Sequence, residues 1–268
     1  MATISALDSF YNNRLQTAQT QIDSIQSLLT AGKKPLSAAD TQQVATLSDR
    51  AVKLSKVKTN VTQATKTISV ATTALTEISK LLQKMQALAN QANTPGMAST
   101  DYMSINLKFQ KMLVDVGGYA VKASLNGTNL LSGTAILNVV TGTDSSSKSK
   151  TSVMPVNIMG LIRVGVLSGA SLDSKDTSAS AADAIRSAMS FVTSGKAQLA
   201  ASAANLLKIQ NKGDATIKQD QATIDAMQAI DIPGLQKKLT ELKSQQLADY
   251  NVITQLNANA SSNLPPLV

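Results

Sequence analysis

VATLSDRAVKLSKVKTNVTQATKTISVATTALTEISKLLQKMQALANQA, residues 44–92, is the stretch on which the fold turns. Its apolar positions are Val44, Leu47, Ala51, Leu54, Val57, Val61, Ala64, Ile68, Ala71, Leu75, Ile78, Leu82, Met85 and Ala89. The gaps are three or four residues, mostly alternating. In a helix such positions fall on one narrow face. No Gly or Pro interrupts the run. The stretch therefore predicts one helix of roughly 50 residues, about 70 Å long at about 1.5 Å per residue. A narrow seam is the signature of coiled-coil packing. The two successive gaps of three at Ala51, Leu54 and Val57 act as a local stammer. A helix this long cannot bury its seam against itself, so it needs partners of comparable length.

Those partners lie at both ends of the chain. Ile4, Leu7, Tyr11, Leu15, Ala18, Ile22, Ile25 and Leu29 form a second seam. Charges there are sparse, and Ser, Thr, Gln and Asn fill most other positions. Such a surface suits burial on more than one side, or disorder until a partner arrives. Gly32 and Pro35 stop this helix, and Ser37 or Asp40 caps the next. Asn93-Thr94-Pro95-Gly96 is a turn. Ile105, Phe109, Met112, Leu113 and Val116 then fold back antiparallel, with Gly117-Gly118 loosening the helix. Asn126-Gly127 marks a tight turn. Residues 135–140 read as a strand, residues 141–151 as a polar loop without packing, and residues 153–166 as short β pieces limited by Pro155 and Gly160. Helical spacing returns from Thr177 or Ser178, which serve as caps, and includes Leu199 and Leu206. Asp231-Ile232-Pro233-Gly234 breaks it. A last seam carries Leu235, Leu239, Leu242, Leu247, Val252 or Ile253, and Leu256.

The two breaks lie at matching distances from the two ends. Terminal helices of equal length can then pair along their whole seams, and residues 44–92 can pair with residues 185–227. The expected fold is mainly α: a long antiparallel helical coiled-coil rod formed by the N- and C-terminal halves, with a small β-hairpin region at the turn-over. The expected domains are residues 1–36 with 233–268, an inner terminal-helix domain, and residues 37–232, a rod domain. The rod domain holds long helices at about 40–92, 100–122 and 178–230 and a β part at about 125–170. Its seam is represented by Leu75, Ile78, Leu82, Met85, Leu199 and Leu206. Gly32, Pro35, Asn126, Gly127, Pro233 and Gly234 are its hinges and turns.

Composition narrows the function. There is no Cys and no His, which removes thiol nucleophiles, disulfides, imidazole bases and the usual zinc ligands. The acidic residues are thinly spread on helix faces. No catalysis, cofactor or metal is expected. Aromatics are 3% of the chain, which suits helical seams filled by Ala, Leu and Ile better than a compact ball. The net charge is +8, but the lysines are scattered and Arg14, Arg50, Arg163 and Arg186 are the only arginines. A solvated helix surface explains this better than nucleic acid, which would call for a basic patch and stacking rings. No apolar run reaches 18 residues, so no transmembrane helix is expected. Residues 1–10 lack a basic region and an apolar core and do not read as a secretory signal peptide.

The residues themselves resemble bacterial flagellin. ALTEI at 74–78 and LQKMQALANQA at 82–92 are similar to that family's "ALNEI…LQRVRELAVQA" helix. SLNGTNLLSG at 124–133 resembles its "FNGxxLLxG" turn. Gly32, Leu36, Ala38 and Asp40 sit where the family has "SSGxxIxxAxDD". The tail KSQQLADYNVITQLNANASSNLPPLV resembles its carboxyl helix. The likeness spans residues 1–133 and 177–268 and implies a filament subunit with a short outer part. It also implies secretion to the cell exterior through the flagellar type III export apparatus, an export chaperone on the C-terminal helix, and neighbouring hook-associated junction and cap proteins. The inner helices implied for self-assembly carry Ile4, Leu7, Tyr11, Leu15, Ile22, Ile25, Leu235, Leu239, Leu242, Ile253 and Leu256. Ser145, Ser146 and Ser147 become possible O-glycosylation sites, against a plain flexible linker. Lys84 and Leu88 match the surface that a Toll-like receptor binds in some flagellins, but Lys108 stands where an acid is usual, so weak or no recognition is expected. Two alternatives remain: a hook-filament junction protein of the same axial family, and a basic coiled-coil module binding DNA or anionic membrane.

Overall fold

The computed structural model describes residues 2–144 and 149–262, with side chains over 7–144 and 149–258. Among the described residues six helices and four short strands follow one another. Helix α1 spans Ala2–Ala31, α2 Ala38–Ala92, α3 Ser99–Lys122, α4 Ile158–Arg163, α5 Lys175–Gln228 and α6 Ile232–Ser262. Strands β1 (Ser124–Leu125) and β2 (Thr128–Asn129) form one antiparallel hairpin; β3 (Leu137–Val140) and β4 (Lys150–Val153) form another. The fold is mainly α, as the spacing predicts.

The described residues divide into two compact units. One holds those up to Leu47 with those from Asp220 onward; the other runs from Ser48 to Gln219. The division falls inside α2 and α5, not at the breaks near Gly32 and Pro233 on which the sequence-based boundaries rest. Breaks in helical spacing mark where a helix ends. They do not mark where one core gives way to another.

In the first unit, α1 stops as its residues dictate. Gly32 takes φ +66°, and its N–H reaches the Leu28 carbonyl at 3.0 Å. A left-handed residue here satisfies an orphan carbonyl at no steric cost to glycine. Ser37 then caps α2, its Oγ accepting the Asp40 N–H at 3.1 Å. On the other branch, Asp231 Oδ1 accepts the Gly234 N–H at 3.1 Å. Pro233 therefore starts α6 within its first turn, where its missing N–H has no partner to lose. The two breaks meet: the Lys34 N–H donates to the Gln228 carbonyl at 3.1 Å.

The second unit holds the larger core. On α2 the buried seam runs Val57, Val61, Ala64, Ile68, Ala71, Leu75, Ile78, Leu82, Met85, Ala89 and Ala92. This strict alternation of four and three begins just after the stammer; Ala51 and Leu54 are only half-buried. A second row, Thr67, Ala74, Leu81 and Leu88, repeats every seven residues beside it, buried or partly buried. One partner would cover the seam alone. The added row fits two packing neighbours, and the same core takes Ile105, Phe109, Val116 and Ala120 from α3 and Ile185, Ala188, Val192, Leu199 and Leu206 from α5. The narrow-seam expectation is corrected here to a broader face. Helices α2 and α5 run antiparallel in this unit, and Lys58 Nζ pairs with Asp214 Oδ1 at 3.0 Å.

Helix α3 runs through Gly117-Gly118 to Lys122, close to the expected span of about 100–122. Three local expectations need correction. Residues 156–166 are not β: Asn157 Oδ1 caps α4 by accepting the Gly160 N–H at 2.8 Å. The β-branched side chains there suggest strand, but tertiary packing overrides such weak propensity. Residues 149–151 are not an unpacked loop; Ser149 is buried, and Lys150 and Thr151 belong to β4. Helix α5 begins at Lys175, capped by Ser174, whose Oγ accepts the Thr177 N–H at 3.3 Å. Thr177 and Ser178 lie inside its first turn.

Candidate self-assembly surface

Helices α1 and α6 pack side by side, with Cα atoms within 8 Å of each other along the pair. They run antiparallel, since Gln19 meets Gln246 and Arg14 meets Asp249. Such close approach needs small residues or interdigitation. Ala18 supplies the first, and Ile22, Ile25 and Leu242 supply the second; all four are buried. Leu29, Leu235 and Leu239 pack against this cluster while staying partly exposed. Four buried side chains contribute on the order of 6–10 kcal/mol. That is little for two helices of about thirty residues, whose isolated turns are marginal in water.

The predicted inner residues are not all placed alike. Ile22, Ile25 and Leu242 form the buried centre. Tyr11, Leu15, Leu235, Leu239, Ile253 and Leu256 are half-buried, and Leu7 is 46% exposed. The Ile4 side chain lies outside the described residues. Beside the seam, Phe10, Leu247 and Tyr250 are 54%, 65% and 59% exposed. The sequence reading took Leu247 as seam and passed over Phe10 and Tyr250. Phe10 lies off the line of the seam, and this displacement is the available signal. A shallow groove of about 270 Å³ runs between the helices, walled by Phe10, Asn13, Thr17, Gln21 and Gln245.

An ion pair crosses the two helices among the described residues. Arg14 Nε lies 3.3 Å from Asp249 Oδ2, and the Asp249 side chain is only 5% exposed. The Arg14 guanidinium also sits 5.7 Å from the Phe10 ring centre and 5.6 Å from that of Tyr11. A buried carboxylate is tolerated only with a cation beside it. In a helix pair of mostly interchangeable amides, this contact pins the register. Gln246 Nε2 donating to Gln19 Oε1 at 2.8 Å pins it again one turn away.

The other predicted residues fall as follows. Leu75, Ile78, Leu82, Met85, Leu199 and Leu206 are fully buried in the second unit. Asn126 and Gly127 take φ +50° and +77° between the paired residues Leu125 and Thr128. Two positive φ values in a two-residue loop are what the favoured hairpin turn requires. Pro35 is exposed after α1. Ser145, Ser146 and Ser147 lie outside the described residues. Among the described residues no acidic cluster is placed to hold a metal, and no helix is long and apolar enough to cross a membrane.

Asn129 is a site the sequence reading missed. Its Nδ2 donates to the carbonyls of Ala120 at 2.8 Å and Val121 at 2.9 Å, which end α3. Its Oδ1 accepts the N–H groups of Leu131 at 2.7 Å and Ser132 at 3.0 Å. One amide thereby closes a helix end and shapes the turn that buries Leu130 and Leu131.

Residues 5–135 match the family described as bacterial flagellin N-terminal helical region. No curated protein matches the chain in sequence. The crystal structure of Bacillus cereus flagellin matches with a TM-score of 0.51 at 20% identity, over 58% of this chain and 88% of that one. At that identity the likeness is one of fold. The matched residues take in α1 from residue 5, α2, α3 and the Asn126-Gly127 hairpin described above, and over them the chain is similar to the helical region of flagellin.

Proposed function

We propose that this chain is a structural subunit that polymerises into a bacterial flagellar filament, outside the cell, for swimming. The observation that carries this is the surface of the α1–α6 pair. It is charge-poor, lined with amides, and leaves Leu7, Phe10, Leu247 and Tyr250 largely exposed around a small buried centre. Neighbouring copies enclosing that surface bury the rings and pair the amides. Ordering of the pair and polymerisation then become one event, because intermolecular burial offsets the chain entropy. The family match over residues 5–135 gives the same direction.

Export unfolded through the flagellar type III apparatus, with a chaperone covering α6, accords with a pair that completes its burial only in the assembly. Hook-associated junction and cap proteins are the expected neighbours at the filament ends. For the Toll-like receptor surface, Lys84 and Lys108 are both exposed and Leu88 is half-buried. Exposed Lys108 in place of an acid favours weak recognition, and robust receptor signalling by the purified monomer would contradict it. The deciding experiment for the filament is negative-stain microscopy after adding sheared filament seeds. Long uniform filaments are expected. Persistent monomers or short oligomers would overturn the reading and move it to the junction protein.

A further inference from the structure

Helix α5 buries no residue between Leu206 and Asp220, and α2 buries none before Val57. The two gaps face each other. Lys58 Nζ lies 3.0 Å from Asp214 Oδ1, and Leu54 Cδ2 lies 3.7 Å from where a Gly213 Cβ would stand. Residues 48–56 of α2 and 213–219 of α5 thus run side by side on half-buried side chains, among them Ala51, Leu54, Thr216 and Ile217. On α5 burial resumes at Asp220 and Ile224, so the stretch is a gap in burial and not the end of a helix.

Other features fall on the same level. An open gap of about 440 Å³ lies between Ile217 and the α2 residues Ala51, Val52, Ser55, Lys56 and Thr59. Here the α2 seam steps by three twice, at Ala51, Leu54 and Val57, which swings the stripe off its line. Gly213 is a glycine that packing does not require. A Cβ there would meet Leu54 at an ordinary contact distance, whereas at Gly195, the other glycine of α5, it would stand 2.4 Å from Val156. A glycine inside a helix lowers its stability relative to alanine, and Asn211 and Asp214 beside it are weak helix formers too. Helix α2 carries Arg50, Lys53, Lys56 and Lys58 here against Asp49. On α5, Asp214 and Asp220 answer them from beside Lys212 and Lys218. The Lys58 and Asp214 side chains are 48% and 33% exposed, so their pair is a light clasp.

We propose that residues 48–56 and 213–219 form a flex point of the second unit. The two stretches part and reclose together, while the core from Val57 and Leu206 inward stays closed. Gly213 makes the opening easier, and the Lys58–Asp214 pair is its clasp. Opening free energies differ along a structure where burial differs. The flex point lets α2 and α5 bend at this level without unfolding the seam from Val61 to Met85, and it does not depend on the filament reading.

Hydrogen exchange of the full chain, without seeds, tests this. Amides in both stretches should exchange at least a hundredfold faster than those of residues 61–85 and 185–206. Gly213→Ala should slow exchange about two- to fivefold in both stretches, although the change lies on α5 alone. Asp214→Asn, similar in helix propensity, should speed both by about two- to fivefold. Leu242→Ala, which loosens the α1–α6 pair, should leave these rates unchanged. A response to Gly213→Ala on α5 alone would overturn the joint opening. No response to Asp214→Asn would overturn the clasp. Exchange as slow as in the core, or exchange that rises with Leu242→Ala, would overturn the flex point itself.

Discussion

Replacing Asn129 tests how the α3 end and the following turn are held. In Asn129→Leu all four side-chain hydrogen bonds are lost, two given to the Ala120 and Val121 carbonyls and two taken from the Leu131 and Ser132 N–H groups. Each intramolecular hydrogen bond contributes about 0.5–1.5 kcal/mol net. The Val121 contact is exposed to water, which recovers part of its loss. The expected cost is then about 2–4 kcal/mol. For a unit of this size each kcal/mol moves the unfolding midpoint by about 2–4 °C, so a drop of roughly 5–15 °C follows. Asn129→Asp is the sharper variant. It keeps both acceptor contacts but sets a carboxylate against two carbonyl oxygens, so it should be no more stable than Asn129→Leu. Thermal unfolding by far-ultraviolet circular dichroism reads the midpoint. Hydrogen exchange places the loss, which should concentrate at the α3 end and residues 124–132. If Asn129→Asp unfolds with the unmodified chain, the donor contacts contribute nothing and the reasoning fails.

Further outcomes follow from the same contacts. Arg14→Leu leaves the buried Asp249 carboxylate without its cation. As Arg14 is itself 38% exposed, the cost should be about 1–3 kcal/mol, read as roughly a 5- to 150-fold rise in the critical concentration for assembly; Arg14→Leu with Asp249→Leu should restore most of it. A Gly195 Cβ would stand 2.4 Å from Val156 Cγ1, so Gly195→Ala should destabilise the second unit by about 1 kcal/mol after its gain in helix propensity, and adding Val156→Ala should remove the clash in a double-mutant cycle. Leu239→Asp and Leu7→Asp should both block seeded polymerisation, seen by microscopy, while leaving the second unit helical by hydrogen exchange; Leu239→Asp should also loosen the α1–α6 pair, since Leu239 packs on its centre. Leu82→Ala, at a fully buried seam position, should cost about 2–5 kcal/mol in urea unfolding, without altering the α1–α6 contacts.

Helix positions, breaks and the buried seam were legible in the residue order because each rests on local chemistry. A gap of three or four fixes a helix face whatever lies opposite, and Gly32 and Asn126-Gly127 can take the positive φ of a helix stop and a tight turn at little steric cost. Leu75, Ile78, Leu82 and Met85 share one buried face for that reason. Which of two apolar rows finds a partner is not local. Leu7 and Leu242 look equivalent as seam residues, yet one is largely exposed and the other buried, because burial depends on what the facing helix offers at that level. Met103, Leu107, Val114 and Val121 repeat as regularly as the buried face of α3, and only the packing of α2, α4 and α5 shows which row is covered. Asn129 carries no spacing signal, since its role comes from carbonyls eight and nine residues away brought back by the hairpin. Helix α4 was hidden because its β-branched side chains favour strand, and its cap and its seat in the core prevail over that preference only once the chain is folded.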